Sequence, residues 1–233
     1  MFALLAICIA ICAFSHPLNA LPSDVVLKTK IKFDNTFLDL HNGDVNKAAA
    51  WIKEVVEEAK PLLLKIDVIK VHLKVVGAIE HMDIIVTATE SFVGVLQKKP
   101  YKAKMLTVYF SGDQLGVGYA ANGRACSGFR GRGVAIVSSR PLRESHVIAG
   151  TARLLAHELG HSIGMNHDDG NQNGRPCDEP AAMMAPSVAY NTNTWTSCSK
   201  DEFADWFTSK ADRFSRRLNG RCMKVSEFSF LSI

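Results

Sequence analysis

Apolar and polar positions alternate, cluster and break in an order that divides the chain into segments. Residues 25–33, VVLKTKIKF, alternate with period two, the pattern of a strand buried on one face. After Gly43 the period changes: Ala49, Ile52, Val55, Val56, Ala59 and Leu63 recur at helical spacing behind Asp44. This predicts an amphipathic helix that Pro61 ends or kinks. IDVIKVHLKVVGAI (66–79) alternates again and reads as a second strand, and HMDIIVTAT (81–89) as a short strand or a loop. Residues 102–120 offer two short strands around the turn residues Ser111, Gly112 and Asp113, and GVAIVSSR (133–140) one more.

Helical spacing returns over 144–166, where Ile148, Ala152, Leu155, Leu159 and Ile163 line one side and Ser145 suits an N-cap. Residues 168–198 are rich in Asp, Asn, Gly, Pro and Ser and predict a region built from loops. The last helix is expected over 199–218, with Ser199 as N-cap, Asp201 and Glu202 in its first turn, and Arg216 and Arg217 in its last. Strand–helix–strand followed by further strands and helices indicates an α/β layer structure. The irregular last third would pack as a small second lobe.

Composition changes this picture little. The chain has 233 residues, 47% hydrophobic and 21% charged, with net charge +4. That suits one sizeable folded core. Basic residues are interspersed with acids along the sequence, so neither nucleic acid nor a membrane surface is an expected partner. The first twenty residues carry no Lys, Arg, Asp or Glu, and an apolar run extends from Phe2 to Phe14. It is too short to span a bilayer and suits a signal peptide cleaved after Ser15 or Ala20, with Ala20 the preferred point. A secreted, extracellular chain from 21 to 233 is the expectation. Cys8 and Cys12 leave with the leader, and Cys126, Cys177, Cys198 and Cys222 remain. An even number in an exported chain implies two disulfides, with three connectivities open.

The chemistry is concentrated in HELGHSIGMNHD, residues 157–168. On a helix His157 and His161 share one face, able to aim both imidazoles at one ion. Glu158 lies about 100° around the helix, beside the ion without facing it, as a general base should. If the helix ran on, His167 would sit about 9 Å further along the axis. Gly164 permits the left-handed turn that brings it back. Three neutral imidazoles leave a fourth tetrahedral position open to water, the mark of a catalytic zinc site. His41, His72, His81 and His146 lack such spacing and are structural or surface residues.

With AAMMAPSVAY (181–190) behind it, this motif resembles that of the metzincins, whose zinc site is followed by a methionine-containing turn. Asp168 after the third histidine is similar to the adamalysin or reprolysin family. The likeness runs from the first strand through FSGDQLGVGYAANGRAC to WTSCSKDEF and NGRC. It implies a secreted zinc endopeptidase acting on protein or peptide substrates. Its fold would have a twisted mixed sheet of about five strands and a cleft between lobes at about 21–167 and 168–233. His157, His161 and His167 would hold one Zn2+, Glu158 would activate water, and Met184 would sit beneath the metal. Pro186 to Tyr190 would wall a substrate pocket, and an edge strand near Gly116–Tyr119 would bind substrate backbone. The cysteines would pair Cys126–Cys222 and Cys177–Cys198.

The chain departs from the family pattern at several points. The positions best aligned with a calcium site common in the family are Lys28, Tyr101 and Val225, poor ligands for a hard cation, so calcium is not expected. No zinc-blocking pro-segment lies between the leader and the catalytic part, which implies either a protease made without that latch or an incomplete precursor, and no disintegrin module follows Cys222. This minimal form resembles arthropod venom or salivary metalloproteases and predicts a monomeric toxin component. The competing expectation is a non-catalytic toxin or binding protein on the same fold.

Overall fold

The computed structural model describes residues 21–86, 105–112, 118–126, 133–139, 147–172, 175–178, 182–186, 193–216 and 222–225. The leader with its two cleavage points, Tyr101, Ser145, Gly116 and residues 187–190 lie outside these.

Strand β1 (Asp24–Phe33) is the axis of the sheet, and its burial alternates strictly. Val25, Leu27, Thr29, Ile31 and Phe33 are buried under the helices, while the intervening side chains are only partly covered. β1 pairs in parallel with β2 (Lys70–Val75) on one side and with β4 (Leu106–Ser111) on the other. The sheet continues to β6 (Val134–Ser138), parallel to β4, and ends at β5 (Gly118–Ala120), antiparallel to β6. The order is thus β2-β1-β4-β6-β5. A two-residue β3 (Glu80–His81) and the late β9 (Met223–Val225) add short pairings to β1. This is a mixed, mostly parallel α/β sheet with five strands on its main path.

The apolar runs LTVYF and VAIV make sense here, because β4 and β6 are covered on both faces. Val86, Tyr109, Val134 and Ile136 form a small second cluster on the face opposite the main core. The two strands expected around Ser111–Asp113 exist, but they are not a hairpin: β6 lies between them. Residues 82–86 form neither helix nor strand.

Helix α1 (Asn35–Leu40) begins at Asp34, whose carboxylate accepts from Phe37 N (2.8 Å), Val86 N (2.7 Å) and Ser111 Oγ (2.9 Å). One buried acid thereby ties together three separate chain segments. Helix α2 (Val45–Leu64) is capped by Asp44 through Asn46 N and Lys47 N. It runs through Pro61 to Leu64, so the proline does not end it. Pro61 is on the exposed side, and the burial of Leu62 and Leu63 beside it holds the last turn against the core. Helix α3 (Val147–Ser162) packs on α2, β6 and β5.

Beyond α3, residues predicted as loop include a short hairpin, β7 (Asp169–Gln172) with β8 (Arg175–Asp178). Helix α4 spans Ser197–Arg216. Ser199 is not its N-cap: Thr196 is, its hydroxyl accepting from Ser199 N at 3.0 Å. Both residues are small and polar, and sequence could not rank them. The structure contains disulfides Cys126–Cys222 and Cys177–Cys198, with Cα–Cα distances of 5.6 and 6.1 Å. The first fixes the β9 segment to the chain after β5, and the second fixes β8 to the start of α4.

Candidate metal centre

Helix α3 delivers two of the three histidines, and its end delivers the third. Gly164 has φ +102°, and Met165 N donates back to Gly160 O (3.0 Å) while Gly164 N donates to His161 O (2.9 Å). This is the hydrogen-bond pattern of a left-handed helix stop. A side chain there is excluded twice, by the dihedral and because a Cβ would meet Trp206 Cβ at 2.6 Å. The chain reverses, and His167 returns to the helix face.

The three imidazoles then converge. His167 Nε2 lies 3.1 Å from His161 Nε2 and 3.3 Å from His157 Nε2. The opposite ring nitrogens settle the tautomers of two rings. His157 Nδ1 is 2.7 Å from Met183 O and His161 Nδ1 is 2.8 Å from Met165 O. A carbonyl only accepts, so each Nδ1 carries the hydrogen and each Nε2 presents a lone pair. Burial drives the His157 imidazole down to about 3, helped by His161 and opposed by the Met183 carbonyl; His167 adds a further push downward. Burial likewise takes His161 down to about 4, opposed by its bond to Met165 O. Both rings are neutral at ordinary pH, with unprotonated nitrogens crowded together.

A cation resolves that crowding. Tetrahedral ligand nitrogens at about 2.0–2.1 Å from zinc are about 3.3–3.4 Å apart, close to the separations seen. Among the described residues, His157, His161 and His167 are the cluster able to hold a metal. The carbonyl bonds on Nδ1 are the outer support that fixes ring orientation in such sites.

Glu158 is buried beside them, and burial pushes its carboxyl up to about 8. Its Oε2 has no hydrogen-bond partner. The carboxylate sits against Gly118 on β5, where a Cβ would fall 2.6 Å from Glu158 Cγ. Gly118 is therefore needed for its absent side chain, a role its sequence context did not reveal.

Met184 is fully buried, and its Sδ lies 2.6 Å from where a Cβ on Gly160 would be, between the two helical histidines. Its carbonyl accepts from Asp168 N at 2.8 Å. The Asp168 carboxylate receives the hydroxyls of Thr196 (2.9 Å) and Ser199 (3.0 Å). Glu202 of α4 grips Asn166 through both its backbone N–H and its side chain, each at 2.7 Å. Sequence gave no signal for Met183 O, Met165 O, Thr196 or Glu202, since a backbone carbonyl belongs to any residue and a surface-type acid to any helix.

Comparison with known proteins gives the family of the chain. Residues 28–214 match the model of the reprolysin (M12B) family zinc metalloproteases. The chain belongs to that family. A human relative, a disintegrin and metalloproteinase with thrombospondin motifs 10, is 44% identical over 62 residues, 25% of this chain and 6% of its own length. A zinc metalloproteinase/disintegrin of Bitis gabonica is 28% identical over 183 residues, 73% of this chain and 53% of its own. The chain thus spans at most about half of these relatives. Among solved structures, one described as a chaperone-substrate complex shares the fold of this chain. Its TM-score is 0.52 at 14% identity, covering 82% of this chain and 34% of that one.

Proposed function

We propose that this reprolysin-family chain is a zinc-dependent endopeptidase cleaving protein substrates. The observation that carries the reading is the convergence of three imidazoles beside a buried carboxyl group with an unpartnered oxygen. His157, His161 and His167 would hold the ion. Zinc in such a site supplies a Lewis acid for the scissile carbonyl and a lowered pKa for water, to about 7.

The chain's own residues supply the remainder. Glu158 Oε2 takes the proton of the attacking water and returns it to the leaving amine. Gly118 leaves room for that carboxylate, and β5 at the sheet edge gives an extended peptide a strand to pair with, beside Glu158. Met184 floors the site under Gly160, and the Met183 carbonyl holds His157 in the binding tautomer. The lobes expected at about 21–167 and 168–233 would flank the substrate.

The protein further acts outside the cell, as a toxin component of venom or saliva in this reading. Support comes from the two disulfides and from the Bitis gabonica relative. Among the described residues no helix is long and apolar enough to cross a membrane. Metal analysis coupled to cleavage of a mixed peptide pool tests the enzyme. Bound zinc, cleavage, its loss to a chelator and its return with zinc are expected. Bound zinc without cleavage would instead indicate the non-catalytic binder.

A further inference from the structure

Arg153 is not used by the machinery above. It stands one turn before His157, so 153, 157 and 161 form a single row along α3 and leave the helix on one face. Arg153 is half-buried overall, but its Nη1 is sealed from solvent and has no hydrogen-bond partner. No ion pair to the guanidinium occurs among the described residues. The only acid on α3 is Glu158, five residues on and off this row.

A buried lysine could escape such a situation by losing its proton. A guanidinium cannot, so the charge stays and wants an anion. Sealing one donor of an ionised group without a partner is unfavourable, and arginine's planar fork matches a carboxylate in particular. Position supplies the rest. Four helical residues separate Arg153 from His157 by about 6 Å along the axis, the span of one to two residues of extended peptide.

We propose that Arg153 is a specificity residue that binds a carboxylate of the substrate within two residues of the scissile bond. The inference rests on the endopeptidase reading. The carboxylate is a Glu or Asp side chain or a free C-terminus, and the chemistry of recognition is the same. A neutral side chain in its place offers the guanidinium no charged acceptor in the complex, which penalises binding of that substrate.

The test uses the zinc-loaded protein and amidated peptides carrying Glu, or isosteric Gln, at each position near the cleavage point. A second set lacks Glu and ends in a free carboxylate or an amide. The wild type should prefer the acid over its neutral counterpart in kcat/KM by about tenfold or more in one of the two sets, which identifies the source. Arg153→Gln should bring that ratio near one, and Arg153→Glu should shift preference to Lys at the same position. Equal kcat/KM for acid and neutral peptides throughout, or an unaltered profile in Arg153→Glu, would overturn the assignment.

Binding of the same peptides to zinc-loaded Glu158→Gln protein, read by fluorescence anisotropy, tests it without turnover. If the wild type cleaves nothing, the endopeptidase reading fails while the ratio of dissociation constants still decides for or against Arg153. Arg153→Gln should also melt no lower than the wild type. A marked loss of stability would show that the guanidinium serves the fold instead.

Discussion

The middle of α3 and its C-terminal end are held by different physics. Its middle, through Ala152, Leu155, Ala156 and Leu159, is fully buried in the apolar core formed with α2 and the sheet. There, many weak contacts share the work, and no single atom is decisive. Its C-terminal end and the segment after it depend on a few individual polar bonds and covalent links. Asp168 joins Met184 to the start of α4, Glu202 holds Asn166, Trp206 Nε1 donates to Gly123 O, and a disulfide joins Cys177 to Cys198. The contrast teaches where function and stability should separate. Damage to the apolar core should lower melting temperature while leaving the metal site intact, and damage to the polar end should reach the metal.

The sharpest separation is expected at Glu158. Glu158→Gln should retain zinc and fold normally while losing about a thousandfold in kcat. Peptide cleavage at the wild-type rate in that variant would remove Glu158 from the role of base. Replacing Cys126 and Cys222 together by serine should cost about 4–5 kcal/mol, since the bridge spans 96 residues, against about 3 kcal/mol for the 21-residue Cys177–Cys198 bridge. Chemical denaturation of each pair of variants measures the difference, and the second should also weaken zinc affinity. Leu27→Ala, in the core, should cost about 3 kcal/mol with zinc affinity unchanged; weaker zinc binding there would dissolve the contrast between the apolar core and the polar end. Asp168→Asn should cost about 2 kcal/mol and, unlike Leu27→Ala, loosen zinc, as a competitive chelator titration would reveal.

The smallest effect is a pH dependence of the chelator-treated protein. His157 and His161 stay neutral when folded down to about 3 and 4, but take up protons near 6.5 when unfolded. Their contribution is full above 6.5 and is lost as pH falls towards those values. Glu158 behaves oppositely: unfolded it ionises near 4.5, folded only near 8, so its contribution is full below 4.5 and lost as pH rises to 8. Between 4.5 and 6.5 the unfolded chain holds two extra protons on histidine and one fewer on glutamate, so stability rises with pH. Between 6.5 and 8 the folded chain holds one more, and stability falls. These three groups place maximum stability near pH 6.5, with slopes of about 1.4 kcal/mol per pH unit on either side. Melting temperatures across pH 5–8 would show this, and a monotonic trend would contradict it.

Legibility in the sequence follows the same division. The alternation of β1 and the helical stripe of α2 were readable because each is covered on one face, so burial wrote its period into the residues. Where both faces are covered, as in β4 and β6, the apolar run marked a strand but not its neighbours. Insertion of β6 between β4 and β5 could not be foreseen from the apparent turn at Ser111–Asp113, because parallel pairing joins strands distant in the chain. Pro61 does not end its helix, because a proline near a helix end is tolerated when the flanking side chains are anchored. The choice of Thr196 over Ser199 as cap, and the β7–β8 hairpin, were invisible for want of any local preference.

By itself, the sequence determined the identity and spacing of the candidate metal site. Two histidines one turn apart, a glycine and a third histidine constrain one another through helix geometry, which is local. Only the tertiary structure decided what surrounds them. The carbonyls of Met183 and Met165 select the tautomers, Gly118 makes room for Glu158, and Arg153, on the same row as His157, has a sealed Nη1 with no hydrogen-bond partner among the described residues. Those facts depend on atoms from remote segments meeting in space, and neither a backbone carbonyl nor a missing partner leaves a mark in the residue string.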